Sequence, residues 1–366
     1  MTIKDSRIIA IIPPGVNNPR NSEGSFITLD DGRIAFAYSK YTGGSFEDGA
    51  DCDVACIYSY DGGETFDTEN IEILIKASEF GLQNAMSVTL RRMDNGDIGL
   101  FFLLKKDEGG LHSEYILRRY KKDFSGEYTD VKVGPERLPG YYVVNNDRVI
   151  RLKSGRWLTV GSLHPSSQHP DEADASWLDH RGIMYSFFSD DDGFTWHTSD
   201  FSLALNNPNS TSGLQEPGCV ELPSGAIYGY ARTDVKCQYE TVSVDGGETW
   251  FPPRASRFLS PNSPLLIKKN EYSDKYYALW NPVPNYFGRK LYDGTMGRTP
   301  YVIAESTDGI SFSEPNILED DETRGFCYPA VHFLDKSTAL LAYCSGSGED
   351  GNCLTRITIR KITVEN

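Results

Sequence analysis

One pattern of apolar and polar positions returns along the chain. An apolar residue, two polar residues and a glycine precede a run of alternating or continuous apolar positions. It reads LDDGRIAFAY from 29, MDNGDIGLFF from 93, LKSGRWLTV from 152 and LPSGAIYGYA from 222. Looser copies are NEYSDKYYALW from 270 and LDKSTALLAY from 334. Each copy predicts a strand end, a tight turn whose glycine supplies positive φ, and a second strand. A second repeat falls between these hairpins: SYDGGETF at 59–66, SDDDGFTW at 189–196, SVDGGETW at 243–250 and the shortened STDGISF at 306–312. YKKDFSGEY from 120 is a worn trace of it. Helical periodicity is short, and IEILIKASEF at 71–80 is its best stretch. Turn-rich strands at intervals of roughly 50–70 residues predict a solenoid, an array or a propeller. Six four-stranded blades of about 60 residues account for nearly the whole chain. The expected fold is therefore all-β, a six-bladed β-propeller forming one domain over residues 1–366, with a seven-bladed ring or a sandwich as alternatives.

The second repeat has a structural reading and a chemical one. Its aspartate can accept backbone N–H groups in a turn, its glycine admits a left-handed residue, and its last aromatic can pack between sheets. That burial is worth about 1.5–3 kcal/mol per copy. Catalysis or a calcium site at Asp61, Asp191, Asp245 or Asp308 is disfavoured, because chemistry needs one site rather than four equivalent ones.

Charge narrows the partners. The formal net charge is −16 and no basic run interrupts it, which argues against nucleic acid or an anionic membrane. An anionic small molecule would need a local nest of arginines. No apolar run reaches the roughly 20 residues of a membrane helix. Seven cysteines without a CxxC pair read as reduced structural thiols. The expected location is cytoplasmic, or periplasmic or secreted if a leader has been removed. No cofactor and no metal is implied.

The repeated S-x-D-x-G-x-T-W resembles the Asp box of the sialidase (neuraminidase) superfamily, whose fold is a six-bladed propeller. Three further stretches resemble that family in spacing. In EPGCVELPSGAIYGYAR, Glu216 stands sixteen residues before Arg232 and the box at 243 follows. Arg298 lies eight before Ser306, after Asn281-Pro282, with Arg289 as a competitor. Tyr328, in FCYPAVHF, occupies the place of the family's tyrosine. Asp48, eleven before Ser59 in a glycine-rich stretch read as a mobile loop, matches the family's acid/base aspartate, with Asp51 and Asp53 after it. The family's first arginine corresponds to Arg20, although its usual Arg-Ile-Pro setting is replaced by residues near Ser22-Glu23-Gly24, and a later arginine is replaced by Lys40. Taken singly, each of these residues could be an ordinary packing or surface residue; their joint spacing lifts them.

The resemblance implies a retaining exo-glycosidase for a terminal sialic acid or another 2-keto sugar acid. Arginine binds a carboxylate with a planar fork. A tyrosine nucleophile avoids the repulsion a carboxylate would meet from the substrate's own carboxylate. Glu216 would take the Tyr328 proton, neighbouring arginines would lower the phenol pKa, and Asp48 would protonate the leaving oxygen. Arg20, Lys40, Arg232, Arg298 and His164 are the expected substrate-binding residues. Two alternatives stand beside this reading. One is a lyase acting on uronate-containing glycans, with His164 as base and a tyrosine as acid. The other is a glycan-binding propeller without catalysis. SLHPSSQHPDEADASWLDHRG at 162–182, with Asp171, Glu172, Asp174, Asp179 and His180, reads as a solvated loop over the mouth rather than a metal site. Asn145–Arg148 fits either site or a structural hairpin.

Overall fold

The computed structural model describes residues 1–106, 112–136, 140–164, 181–286 and 288–365. All six glycine or pseudo-glycine turns join antiparallel strands, each closed by a short backbone pair such as Leu29 N–H to Arg33 O at 2.8 Å or Leu222 N–H to Ala226 O at 2.8 Å. Gly32, Gly96, Gly155 and Gly225 sit at positive φ, which a side chain would resist.

The strands form antiparallel meanders. The first comprises Asn21–Thr28, Ile34–Tyr41, Cys52–Ser59 and Asp67–Ile75, and the second Asn84–Arg92, Ile98–Lys105, Ser113–Tyr120 and Tyr128–Gly134. A single parallel bridge, Cys52 to Asn84, joins these two into the largest sheet. The third meander opens with two short strands, Tyr141–Val143 and Ile150–Arg151, which share the partner Trp157–His164; Ile183–Ser189 and His197–Leu203 follow. The fourth runs Gln215–Glu221, Ile227–Arg232, Cys237–Ser243 and Arg254–Leu259, and the fifth Leu266–Lys269, Tyr276–Trp280, Tyr301–Ser306 and Asn316–Glu319. The sixth takes Cys327–Phe333, Thr338–Cys344 and Ile357–Val364, and the strand Ile3–Ile12 pairs antiparallel with the last of these. Residues 71–75 belong to a strand, and only Ala77–Phe80 turn helically, as a 3-10 turn.

Burial explains the order within each meander. Ile98–Lys105 is buried throughout, as a strand covered on both faces must be. Asp67–Ile75 is mostly exposed and carries Asp, Glu and Asn, as an outer edge does. The apolar clusters lie between successive meanders: Ile98 packs with Val54, Phe101 with Trp196, Leu158 with Trp250, Val220 with Ile267 and Leu279 with Leu341. The last cluster, with Leu340 and Phe36, joins the sixth meander to the first. The packing thus returns to its start, although no sheet among the described residues closes on itself.

The second sequence repeat proves to be a local lock. Ser59 Oγ accepts Gly63 N–H at 2.9 Å, and Asp61 Oδ1 accepts Glu64 and Thr65 N–H at 3.0 Å each. The same bonds recur around Asp191, Asp245 and Asp308. Each box also reaches the preceding meander. Trp196 meets Phe101 edge-on at 5.7 Å, and Trp250 Nε1 donates to Ser186 Oγ at 2.9 Å. The worn copy keeps a reduced turn, with Asp123 accepting Ser125 N–H at 3.0 Å.

Candidate active site

The first strands of four meanders share an irregularity near their N-terminal ends. Register shifts fall between Ser22 and Ser25, Met86 and Thr89, Gln215 and Gly218, and Cys327 and Ala330. The extra residue in each is left-handed: Glu23 at φ 51°, Ser87 at 59°, Glu216 at 43° and Tyr328 at 53°. A non-glycine residue there costs about 1–3 kcal/mol. Glu216 and Tyr328 each precede proline as well, which further narrows their backbone. A bulge re-aims a side chain that a regular strand would point into the flanking sheet.

These bulges bring Glu216 and Tyr328 together. Tyr328 Oη donates to Glu216 Oε1 at 2.6 Å. Arg232 Nη1 lies 2.9 Å from Glu216 Oε2 and donates to Tyr328 Oη at 3.3 Å. Arg298 sits over the Tyr328 ring, 5.5 Å from its centroid. Asn262, absent from the sequence reading, ties the two arginines. Its Oδ1 accepts Arg232 Nε at 2.5 Å and its backbone carbonyl accepts Arg298 Nη2 at 3.3 Å. Arg298 also donates to Cys327 Sγ at 3.1 Å.

Arg20 forms the other half of the site. It is buried beside the Tyr41 ring at 4.5 Å and bonds Asp48 Oδ1 at 2.5 Å and Glu23 Oε2 at 3.3 Å. Asp48 itself is exposed, on a loop whose tip is anchored. Lys105 Nζ donates to the Asp48 carbonyl, and Asn84 Nδ2 donates to the same oxygen at 3.2 Å and to Ala50 O at 2.6 Å. The stretch read as mobile from its glycines is therefore pinned from the second meander.

The two halves face one another. Glu23 acts electrostatically on Tyr328, and Arg232 acts on Asp48. Tyr141 completes the wall; its ring lies 5.5 Å from Lys105 Nζ and 5.9 Å from the ring of His164. Lys40 is not brought into this group. It pairs in register with Asp53 and stands on the strand face opposite Tyr41. Arg289 is spent on loop structure, donating to Val283 O at 2.7 Å and Asn285 Oδ1 at 3.0 Å. Asn146 staples strands by donating to Gly24 O at 2.8 Å and Pro329 O at 3.2 Å. Asp171, Glu172, Asp174, Asp179 and His180 lie outside the described residues.

Electrostatics sets the protonation of the pocket groups. Burial, then the Glu216 carboxylate, push the Tyr328 phenol well above its ordinary pKa; Arg232 and Arg298 pull downward and lose. The phenol is thus protonated and needs a base. For Glu216, burial pushes upward, but the charge of Arg232 and the Tyr328 hydrogen bond outweigh it, leaving a carboxylate. Asp48 behaves alike: desolvation raises it, and Arg20 and Lys105 bring it below the usual range. Burial raises Glu23 against the opposing charge of Arg20. All seven cysteines are unpaired and buried. No cluster able to hold a metal occurs among the described residues, and none of their helices is long and apolar enough to cross a membrane.

The sequence and fold were compared with known proteins. The family model described as BNR repeat-like domain matches residues 32–338. A stretch of 139 residues is 29% identical to the anhydrosialidase of Macrobdella decora, covering 38% of this chain but only 16% of that protein. Among solved structures, a protein of unknown function from Dyadobacter fermentans superposes with a TM-score of 0.71 at 16% identity, covering 99% of this chain and 100% of that one. The NanB sialidase of Streptococcus pneumoniae gives 0.70 at 13% identity, covering 98% and 70%. At such identities the structural likeness is one of fold.

Proposed function

The chain belongs to the BNR repeat-like domain family, as a divergent member of the sialidase superfamily, and on that premise we propose that it is a retaining exo-glycoside hydrolase for a terminal sialic acid or a related 2-keto sugar acid. The six meanders are read as the blades of one propeller spanning residues 1–366, with the site where the first strands begin. The observation that carries the reading is the 2.6 Å hydrogen bond from Tyr328 to Glu216 between Arg232 and Arg298. A buried phenol given to a buried carboxylate, flanked by two guanidinium groups, is a poised nucleophile rather than a packing contact.

The substrate carboxylate is held by the arginines. Tyr328 Oη attacks the anomeric carbon while its proton passes to Glu216, and the bond to the leaving oxygen breaks as Asp48 supplies a proton. Water then loses a proton to Asp48 and attacks the same carbon, and Tyr328 leaves with the proton returned by Glu216. Asp48 has to be protonated for the first half. Arg20, paired with Asp48, favours its ionised form. A substrate carboxylate competing for Arg20 would remove that partner and raise the Asp48 pKa. Substrate binding thus arms the acid.

The test is turnover of a fluorogenic α-sialoside beside the Tyr328→Phe protein. Release by the wild type alone is expected. Equal release by both sinks the nucleophile. A product absorbing in the ultraviolet from a uronate polymer would favour the lyase chemistry of His164. Glycan retention without turnover in either assay would mark a binding module.

A further inference from the structure

The first strands have a second end. Asn21–Thr28, Gln215–Glu221 and Cys327–Phe333 carry Glu23, Glu216 and Tyr328 near their starts and finish at Thr28, Glu221 and Phe333, where they line a cavity of about 510 Å³. That volume lies within the range of small-ligand sites.

Its lining inverts the charge of the protein. The formal net charge of the chain is −16. The floor sets Lys268 and Arg91 against the single carboxylate of Asp147, at 2.7 and 3.0 Å. Arg148 in the wall is 2% exposed. Its Nη1 donates to Tyr230 Oη at 2.8 Å and its Nη2 to Leu265 O at 2.6 Å, while Nε has no partner. No carboxylate among the described residues forms an ion pair with it. A buried guanidinium without a counter-ion is costly. At the mouth, Arg92 and Arg151 are neutralised by Asp30 and Asp94. Among the described residues, Lys153 Nζ donates to the Pro223 carbonyl at 3.3 Å, and Lys269 Nζ lies 3.8 Å from Asp274 Oδ1. Trp157 and Tyr272 add aromatic wall. The mouth acids are Glu221, whose carboxylate accepts Lys153 N–H at 2.9 Å, and Glu271.

We propose that this cavity, at the opposite end of the first strands from Glu216 and Tyr328, binds a small multivalent organic oxyanion of the di- or tricarboxylate class. Arg148 supplies the unpaired buried charge, and Lys153 and Lys269 guide the ligand in. The surrounding negative field disfavours long polyanions and admits a compact one. The site is independent of the hydrolase reading.

Citrate titrated calorimetrically into the full chain at low ionic strength tests it. One saturable event is expected. The double variant Lys153→Met/Lys269→Met should weaken it at least tenfold, and Arg148→Met should weaken it as an independent substitution. Arg232→Ala should leave it unchanged, because that arginine belongs to the other end. Absence of saturable binding overturns the proposal. So does binding that Arg232→Ala abolishes and the lysine pair leaves intact, which would put the anion among the arginines near Tyr328. If Arg148→Met does not fold, the lysine pair still decides.

Discussion

The box aspartates and the pocket carboxylates share a chemistry and differ in their company. Asp61 bonds only within its own turn, to residues at most four positions away. Asp191, Asp245 and Asp308 repeat it. Asp48 bonds an arginine 28 positions away, and Glu216 a tyrosine 112 positions away. A carboxylate satisfied by its own loop has no proton to exchange with a neighbour. One held against a cation or a phenol from another strand has its pKa set by the fold and can change state when a ligand intrudes. Repetition here marks structure, and singular long-range contact marks chemistry.

The sharpest way to break this contrast is at the pocket. Glu216→Gln should lower sialoside turnover by about 10³-fold while leaving the melting temperature near that of the wild type. An activity loss matched by unfolding would reduce Glu216 to a structural residue. Asp48→Asn should cost roughly 10²-fold, and less with an aglycone that departs without a proton. Equal loss on both aglycones would remove Asp48 from acid catalysis.

The box side of the contrast predicts the reverse split. Asp245→Ala removes acceptors for Thr249 N–H and its hydroxyl. The melting temperature should fall by about 2 °C or more, with kcat unchanged at a temperature where the protein is folded. A selective loss of kcat would give the box a chemical part after all. The smallest effect concerns pH. Burial, aided by the nearby charge of Lys268, pushes His332 down to about 4. The unfolded chain takes up that proton as pH falls below the ordinary histidine value, whereas the folded chain takes it up only near 4. Stability from this group is therefore complete above about 6.5 and declines until about pH 4. Denaturation midpoints of His332→Phe should be flatter across this window, and an unchanged slope would clear His332 of the effect.

Most of the scaffold was legible because its signals are local. Four of the six hairpins carry a turn glycine, and each box closes within a few residues. The pocket was legible in part. Glu216, Arg232, Arg298, Tyr328 and Asp48 came from the resemblance to the sialidase family in motif spacing, and Arg20 joined them despite its altered surroundings. Lys105, Asn84 and Asn262 were missed because their partners lie in other meanders, and Glu23 because its role depends on a bulge. One signal for Glu23 was available. It stands nine residues before Gly32, as Ser87 stands before Gly96 and Glu216 before Gly225. Lys40 misled because a one-residue alternation sends it to the other face, which spacing from a motif does not reveal. Arg232 and Arg298 do pull the phenol pKa down, and the burial that outweighs them depends on packing that spacing does not reveal.

The strand Ile3–Ile12 lies against Ile357–Val364, with Glu365 N–H donating to Thr2 O at 2.9 Å. Nearly the whole chain is made between these two partners. In a chain folding as it is made, Ile3–Ile12 stays without this partner until Ile357–Val364 has been synthesised. This pairing is thus a late event for a chain that folds during its synthesis. The same adjacency makes the seam portable. A short linker from Glu365 to Met1, with new ends cut in an exposed turn such as that at Gly225, should give a chain that folds to the same set of meanders in a different order.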